Sequence, residues 1–95
     1  MAHPDGRVFV NLTGNPGMAS GGMGDVLTGV IAGFVAQGVA PEGAVHLGVF
    51  LHGAAADHQS IHRGPFGYLA TDVMNQLPRQ IQKLYKEIYL KCSIK

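Results

Sequence analysis

Apolar residues pair up at a spacing of four along the middle of the chain: Val26-Leu27, Val30-Ile31 and Phe34-Val35. That spacing puts them on one face of a helix. The other face would carry Thr28, Gly29, Ala32, Gly33 and Ala36, all small, so this helix is expected to be packed on every side. Gln37-Gly38 supplies a glycine stop. Pro41 is suited to open a second helix. Ala44, Val45, Leu47, Gly48, Phe50, Leu51, Ala54 and Ala55 fill that helix with apolar or small side chains, so it too is expected to be buried. A loop follows over His62-Arg63-Gly64-Pro65-Phe66-Gly67. A short third helix opens at Ala70 or Thr71 with Asp72 in its first turn, where a carboxylate suits the helix dipole. Pro78 interrupts it, and Ile81, Leu84, Tyr85 and Ile88 predict a separate amphipathic helix beyond.

Ahead of these helices, Pro4-Asp5-Gly6 is a turn signal. Val8, Val10 and Leu12 then alternate with Arg7, Phe9 and Asn11, the pattern of a strand. An Asp-Gly turn normally joins such a strand to an earlier partner, for which only Met1–His3 remain. Two helices that need cover on most sides, with one strand and little else to cover them, imply a sheet outside this segment. The expectation is therefore α/β, with this chain a mostly helical C-terminal piece carrying one N-terminal strand or hairpin.

Composition narrows the class. The 95 residues are 46% hydrophobic and only 14% charged, which excludes an intrinsically disordered chain. The lone cysteine, Cys92, has no intramolecular partner, so a disulfide scaffold is excluded. Formal net charge is +1 with no basic stripe interleaved with aromatics, so no nucleic-acid partner is expected. Lys83, Lys86, Lys91 and Lys95 read as the solvated face of the terminal helix. The uncharged run Val26–Pro41 falls short of the roughly 20 residues of a membrane span. No apolar leader is visible. The expected setting is soluble and cytoplasmic, away from any membrane.

The chemistry gathers before the first helix. Of the twelve residues Thr13–Gly24, five are glycine. Gly21, Gly22, Met23 and Gly24 lead into a helix N-terminus, where successive backbone N–H groups form an anion site that a phosphate approaches without meeting a Cβ. Asp25 beside it is poorly placed to bind the anion. It is well placed to take a proton from a hydroxyl attacking phosphorus, as phosphoryl transfer requires. The alternative is that Asp25 merely caps the helix. A Walker A loop is excluded because no lysine lies here, and Gly22-Met23-Gly24-Asp25-Val26-Leu27 ends in leucine where a dinucleotide fingerprint needs glycine or alanine.

The run Asn15-Pro16-Gly17-Met18-Ala19-Ser20-Gly21-Gly22-Met23-Gly24-Asp25-Val26-Leu27-Thr28-Gly29-Val30-Ile31-Ala32-Gly33 resembles the signature of the ADP/ATP-dependent NAD(P)H-hydrate dehydratases, a branch of the ribokinase-like superfamily. Gly67-Tyr68-Leu69-Ala70-Thr71-Asp72-Val73-Met74, followed by Leu77-Pro78, resembles that family's second signature. The likeness runs from about Asp5 to Ile81. It implies a three-layer fold with a central, mostly parallel sheet, of which residues 1–95 would be the C-terminal part of one domain. It implies repair of hydrated NADH or NADPH (NADHX, NADPHX), consuming ADP or ATP with Mg²⁺. The resemblance puts Asp25 at the position that contacts the hydrated substrate and acts as base, and Gly24 at a nucleotide contact. Gly21, Gly22, Met23 and Gly24 would form the phosphate-binding stretch. No protein ligand for Mg²⁺ stands out, and no other metal ligand is assigned. A homo-oligomer is expected of the complete protein. The alternatives are a small-molecule kinase of the same superfamily, or a non-catalytic segment that assembles with another chain.

Other candidates read as structural. His58 and His62 stand four apart beside Asp57 but lack an H-E-x-x-H pattern, so a surface or structural role is expected rather than a metal. His52 is read as a hydrogen-bonded core or near-site histidine. Met18 and Met23 are read as loop packing, with contact to a base or ring as the alternative. Asn15 is read as a turn starter or a nucleotide contact.

Overall fold

The computed structural model describes residues 1–93, with side chains described as far as Ile88. Lys95 lies outside the described residues, and so do the side chains of Lys91 and Cys92. Three helices make the body: α1 (Met23–Ala36), α2 (Pro41–His62) and α3 (Ala70–Ser93), with a 3₁₀ turn at Pro16–Met18 ahead of them. Helix α2 is the centre. It packs against α1 on one side and α3 on the other, while α1 and α3 scarcely meet.

The starts and stops follow local chemistry. Pro41 opens α2 at a position where its missing N–H costs nothing. Helix α1 ends as its sequence predicts. Gly38 takes φ +96°, its N–H reaches the Val35 carbonyl at 3.0 Å, and the Val39 N–H reaches the Phe34 carbonyl at 3.0 Å. At the start of α3, Asp72 Oδ2 accepts from the Leu69 N–H at 2.8 Å, and Arg63 Nη1 lies 3.6 Å from Asp72 Oδ1. Asp72 therefore holds the helix start, as expected.

The core is Met23, Leu51, Ala55, Ala56, Tyr68, Val73 and Leu77, with Met18, Val26, Val30, Phe34, Leu47, Ala70 and Leu84 around it. Small residues let the helices close in. A Cβ on Gly48 would stand 2.7 Å from Ile31 Cγ1, so α1 crosses α2 at that glycine.

The structure corrects three expectations. The first is the α/β class: among the described residues there are three helices and no strand or sheet. A single antiparallel bridge joins Ala2 to Val8 across the Pro4-Asp5-Gly6 turn. Residues 7–12 have the alternation of a strand, but no second strand among the described residues supplies a ladder. Without one, Val8, Val10 and Leu12 lie 70%, 78% and 92% exposed. The second is the cover on α1, where Met23 is the one buried residue and the face with Gly24, Thr28, Gly29 and Ala32 is open. Helix α2, by contrast, buries one face between Ala44 and Gln59, as expected, although Phe50, expected to be buried too, is 43% exposed. The third is Pro78, which lies inside one continuous α3. A proline removes one helical hydrogen bond, and the apolar stripe Val73, Leu77, Leu84 runs across it against α2, holding both halves in line.

His52 is a core histidine, as expected. It is buried at 4% exposure, but its Nε2 has no hydrogen-bond partner. Burial pushes its pKa below the ordinary 6.5. His58 is shifted the same way, first by burial and then by His62, Arg79 and Lys83. The unfolded chain therefore binds more protons than the folded one as pH falls through 6.5. Stability present above that value is lost as pH drops toward the lower folded pKa values. The thermal midpoint is expected to fall between about pH 7.5 and about pH 5.5, and His52→Leu to flatten that loss. An unchanged slope in His52→Leu would assign the acid sensitivity elsewhere.

Candidate functional site

The first half of the glycine-rich loop is anchored by residues far away in sequence. Thr13 Oγ1 donates to the Phe50 carbonyl at 3.0 Å, which presses Thr13 onto Gly53 of α2. Asp57, one turn further along α2, accepts from the Gly14 N–H at 3.1 Å and from Asn15 Nδ2 at 2.8 Å. Asn15 Oδ1 accepts in turn from the Gly17 N–H at 3.0 Å and from the Tyr68 hydroxyl. Asn15 is thus the N-cap of the 3₁₀ turn and the junction between the loop, α2 and the segment before α3. Gly17 sits where no side chain fits: a Cβ there would lie 2.3 Å from the Pro65 carbonyl oxygen and 2.6 Å from the Tyr68 ring.

This anchoring delivers the chain to α1. Gly22 is the N-cap, in the left-handed region at φ +87°, and no side chain caps the helix. The first intrahelical bond runs from the Val26 N–H to the Gly22 carbonyl at 3.0 Å. The N–H groups of Met23, Gly24 and Asp25 are left pointing out of the helix end, the arrangement that favours an anion. Gly21, Gly22 and Gly24 are exposed there. A Cβ on Gly21 or Gly24 would meet nothing within 4 Å, so their lack of a side chain leaves the helix end open rather than serving the packing of this chain. Met23 differs from its neighbours. Its side chain is 6% exposed in the core, so only its backbone faces the loop's open side.

Asp25 lies in the first turn of α1, exposed, and makes no cap bond. Among the described residues it has no hydrogen-bond or ion-pair partner. The capping alternative is therefore not realised in the structure. Beside it, Val26, Gly29 and Val30 of α1 and Met74 of α3 line an apolar cleft of about 340 Å³. A carboxylate at the rim of an apolar cleft, next to free N–H groups, can orient and deprotonate a hydroxyl while an anion rests on the helix end.

Asp57 and Tyr68 were missed as site residues in the sequence. Their part in holding the loop depends on contacts spanning more than forty residues, and spacing along the chain carries no signal of them. Ser20 Oγ, buried without a partner at the foot of the glycine run, was missed too. Asp57→Ala would leave the Gly14 N–H and Asn15 Nδ2 without acceptors, at a cost of about 1–3 kcal/mol. The expected result is faster amide exchange at Gly14 and Gly17 with the helical core still protected. Exchange unchanged from wild type would mean that Asp57 does not hold the loop.

Comparison with known proteins gives the family. The sequence profile of the NAD(P)H-hydrate dehydratase family matches residues 1–79. A bifunctional NAD(P)H-hydrate repair enzyme of Moorella thermoacetica is 49% identical over 88 residues, 93% of this chain and 17% of its own. The Escherichia coli protein of the same name is 47% identical over 78 residues, 82% of this chain and 15% of its own. An ADP-dependent (S)-NAD(P)H-hydrate dehydratase of Xanthomonas campestris is 37% identical over 84 residues, 88% of this chain and 29% of its own. This chain thus spans less than a third of the length of each of these relatives. The glycine loop and Asp25 fall inside residues 1–79, which the family profile matches, and on that match the chain belongs to the NAD(P)H-hydrate dehydratase family.

Proposed function

We propose that residues 1–95 are the C-terminal part of a single dehydratase domain that returns NADHX or NADPHX to NADH or NADPH at the expense of ADP or ATP. The observation that carries this reading is the free Asp25 carboxylate in the first turn of an uncapped, glycine-started helix. In this reading Gly21, Gly22, Met23 and Gly24 hold the transferred phosphoryl group through backbone N–H groups, so that no side chain stands between the helix end and the anion. Asp25 takes the proton from the hydroxyl of the hydrated ring. The hydroxyl oxygen bonds to the terminal phosphorus of the nucleotide as the bridging phosphorus–oxygen bond breaks, releasing AMP from ADP or ADP from ATP. The new ester then leaves as phosphate when the ring carbon–oxygen bond breaks, and the neighbouring ring carbon gives up a proton to water as the double bond forms.

Mg²⁺ belongs to the same reading, with the nucleotide. At this end of α1 the one carboxylate without a partner among the described residues is Asp25, too few oxygens for a protein cage. The ion would take its ligands from the nucleotide phosphates and water, as Mg²⁺ commonly does, and neutralise phosphate charge. The complete protein is proposed to work in the cytoplasm as a homo-oligomer, with no nucleic-acid or membrane partner. Among the described residues no helix is long and apolar enough to cross a membrane.

The test is conversion of NADHX to NADH, read as absorbance of the reduced ring, with Mg²⁺ and ADP or ATP. It is run on the 95-residue chain and on a chimera in which the chain replaces the matching stretch of the Moorella thermoacetica relative. Turnover by the chimera supports the reading. A folded, nucleotide-binding chimera that leaves NADHX untouched but phosphorylates a small alcohol would replace it with a kinase.

A further inference from the structure

We propose that His3, Glu42 and His46 form a binding site for a transition-metal dication of the zinc type, clasping the N-terminal turn to α2. Glu42 and His46 lie four residues apart in the first turns of α2, so their side chains share a face. The turn around Pro4-Asp5-Gly6 brings His3 onto that face. The His3 and His46 rings are stacked, with centroids 4.9 Å apart and planes at 20°, and their Nε2 atoms are 2.8 Å apart. Phe9 stands edge-on to both rings, at 5.0 Å from His3 and 4.6 Å from His46, which fixes their orientation. His3 Nδ1 is 3.8 Å from Glu42 Oε1. One ligand atom from each of the three residues lies within 4.8 Å of the other two.

Two imidazole nitrogens and one carboxylate are the donor set of a three-ligand zinc site with a fourth position for water. Magnesium and calcium, which take oxygen ligands, suit it poorly. With metal–nitrogen distances of about 2.0–2.1 Å, tetrahedral geometry puts the two nitrogens a little over 3 Å apart. The rings need to part only by a fraction of an ångström. One group competes with the ion: Arg7 Nη2 lies 3.1 Å from Glu42 Oε1, while its Nε holds Asp5 Oδ2 at 2.6 Å. The guanidinium takes the carboxylate when no ion is bound, so releasing it should strengthen the site. None of these residues touches the Asp25 loop, so the site stands independently of the proposed reaction.

The test is titration of the 95-residue chain with Co²⁺, read by visible absorbance, followed by displacement with Zn²⁺. One equivalent is expected to bind. His46→Ala and, separately, His3→Gln should each weaken binding about tenfold or more. His3 lies outside the helices, so its variant keeps the helical core even if His46→Ala fails to fold. Arg7→Gln should tighten binding, and the double variant His58→Ala/His62→Ala should leave it unchanged. Zn²⁺ should raise the thermal midpoint of the wild-type chain and not that of His3→Gln. No saturable binding, equal binding by His3→Gln, or loss confined to the His58/His62 variant would overturn the proposal.

Discussion

Asp25→Asn in the chimera is expected to lower NADHX conversion by about 10²–10⁴-fold, the range a positioned general base contributes. Its stability should scarcely change. Asn has the same shape and keeps an oxygen, but it does not take up a proton at neutral pH. The side chain makes no cap bond, and its carboxylate has no partner among the described residues. Its contribution to folding is limited to the favourable meeting of a carboxylate with the helix dipole, about 0.3–1 kcal/mol. Measuring both quantities on one variant separates the two roles open to this residue. Loss of turnover with an unchanged unfolding midpoint marks a base. Turnover retained in Asp25→Asn, with stability lowered by about 1 kcal/mol, would mark a helix-end residue and remove the proposed chemistry.

Gly53→Ala and Gly29→Ala should move stability in opposite directions. Both glycines lie inside helices, where alanine is intrinsically better by about 1 kcal/mol. A Cβ at Gly29 would meet nothing within 4 Å, so Gly29→Ala should gain stability by about 0.5–1 kcal/mol. A Cβ at Gly53 would lie 2.2 Å from Thr13 Oγ1 and 2.8 Å from the Thr13 carbonyl carbon, and backbone does not yield as a flexible side-chain end does. Relief requires lifting Thr13 away from α2, which breaks its bond to the Phe50 carbonyl and starts to undock the glycine loop. The overpacking cost is about 1–3 kcal/mol, enough to reverse the helix-propensity gain. In a domain of this size each kcal/mol moves the thermal midpoint by about 4–8 °C, so the opposite signs are readily measured. A midpoint raised by Gly53→Ala would mean that the loop does not rest on α2.

Where a feature depends on neighbours in sequence, it was legible. The Gly38 stop of α1, the Pro41 start of α2 and the Asp72 bond at the start of α3 each use a group within a few residues. The glycine run before α1 also announced its open helix end. The strand did not form because alternation in residues 7–12 records a preference, whereas a strand exists only with a partner to bond. The break expected at Pro78 failed for a related reason. Proline's cost is local, and the packing of Val73, Leu77 and Leu84 on α2 outweighs it across the helix.

The candidate site divides along the same line. Residues 15–25 by themselves determined an open glycine helix end followed by a carboxylate, because caps, turns and free N–H groups are set by backbone conformation over a few residues. Residues 15–33, with 67–74 and Leu77-Pro78, determined as well the resemblance that the family profile bears out over residues 1–79. Only the tertiary structure decided that Asn15 is held by Asp57 and Tyr68, that Gly17 and Gly53 leave no room for a side chain, and that Met23 points into the core. It alone joined His3 to His46. The contacts among these span from about forty to over fifty residues, and their energy comes from close packing and hydrogen bonds that exist only once α2 has brought both ends of the chain together.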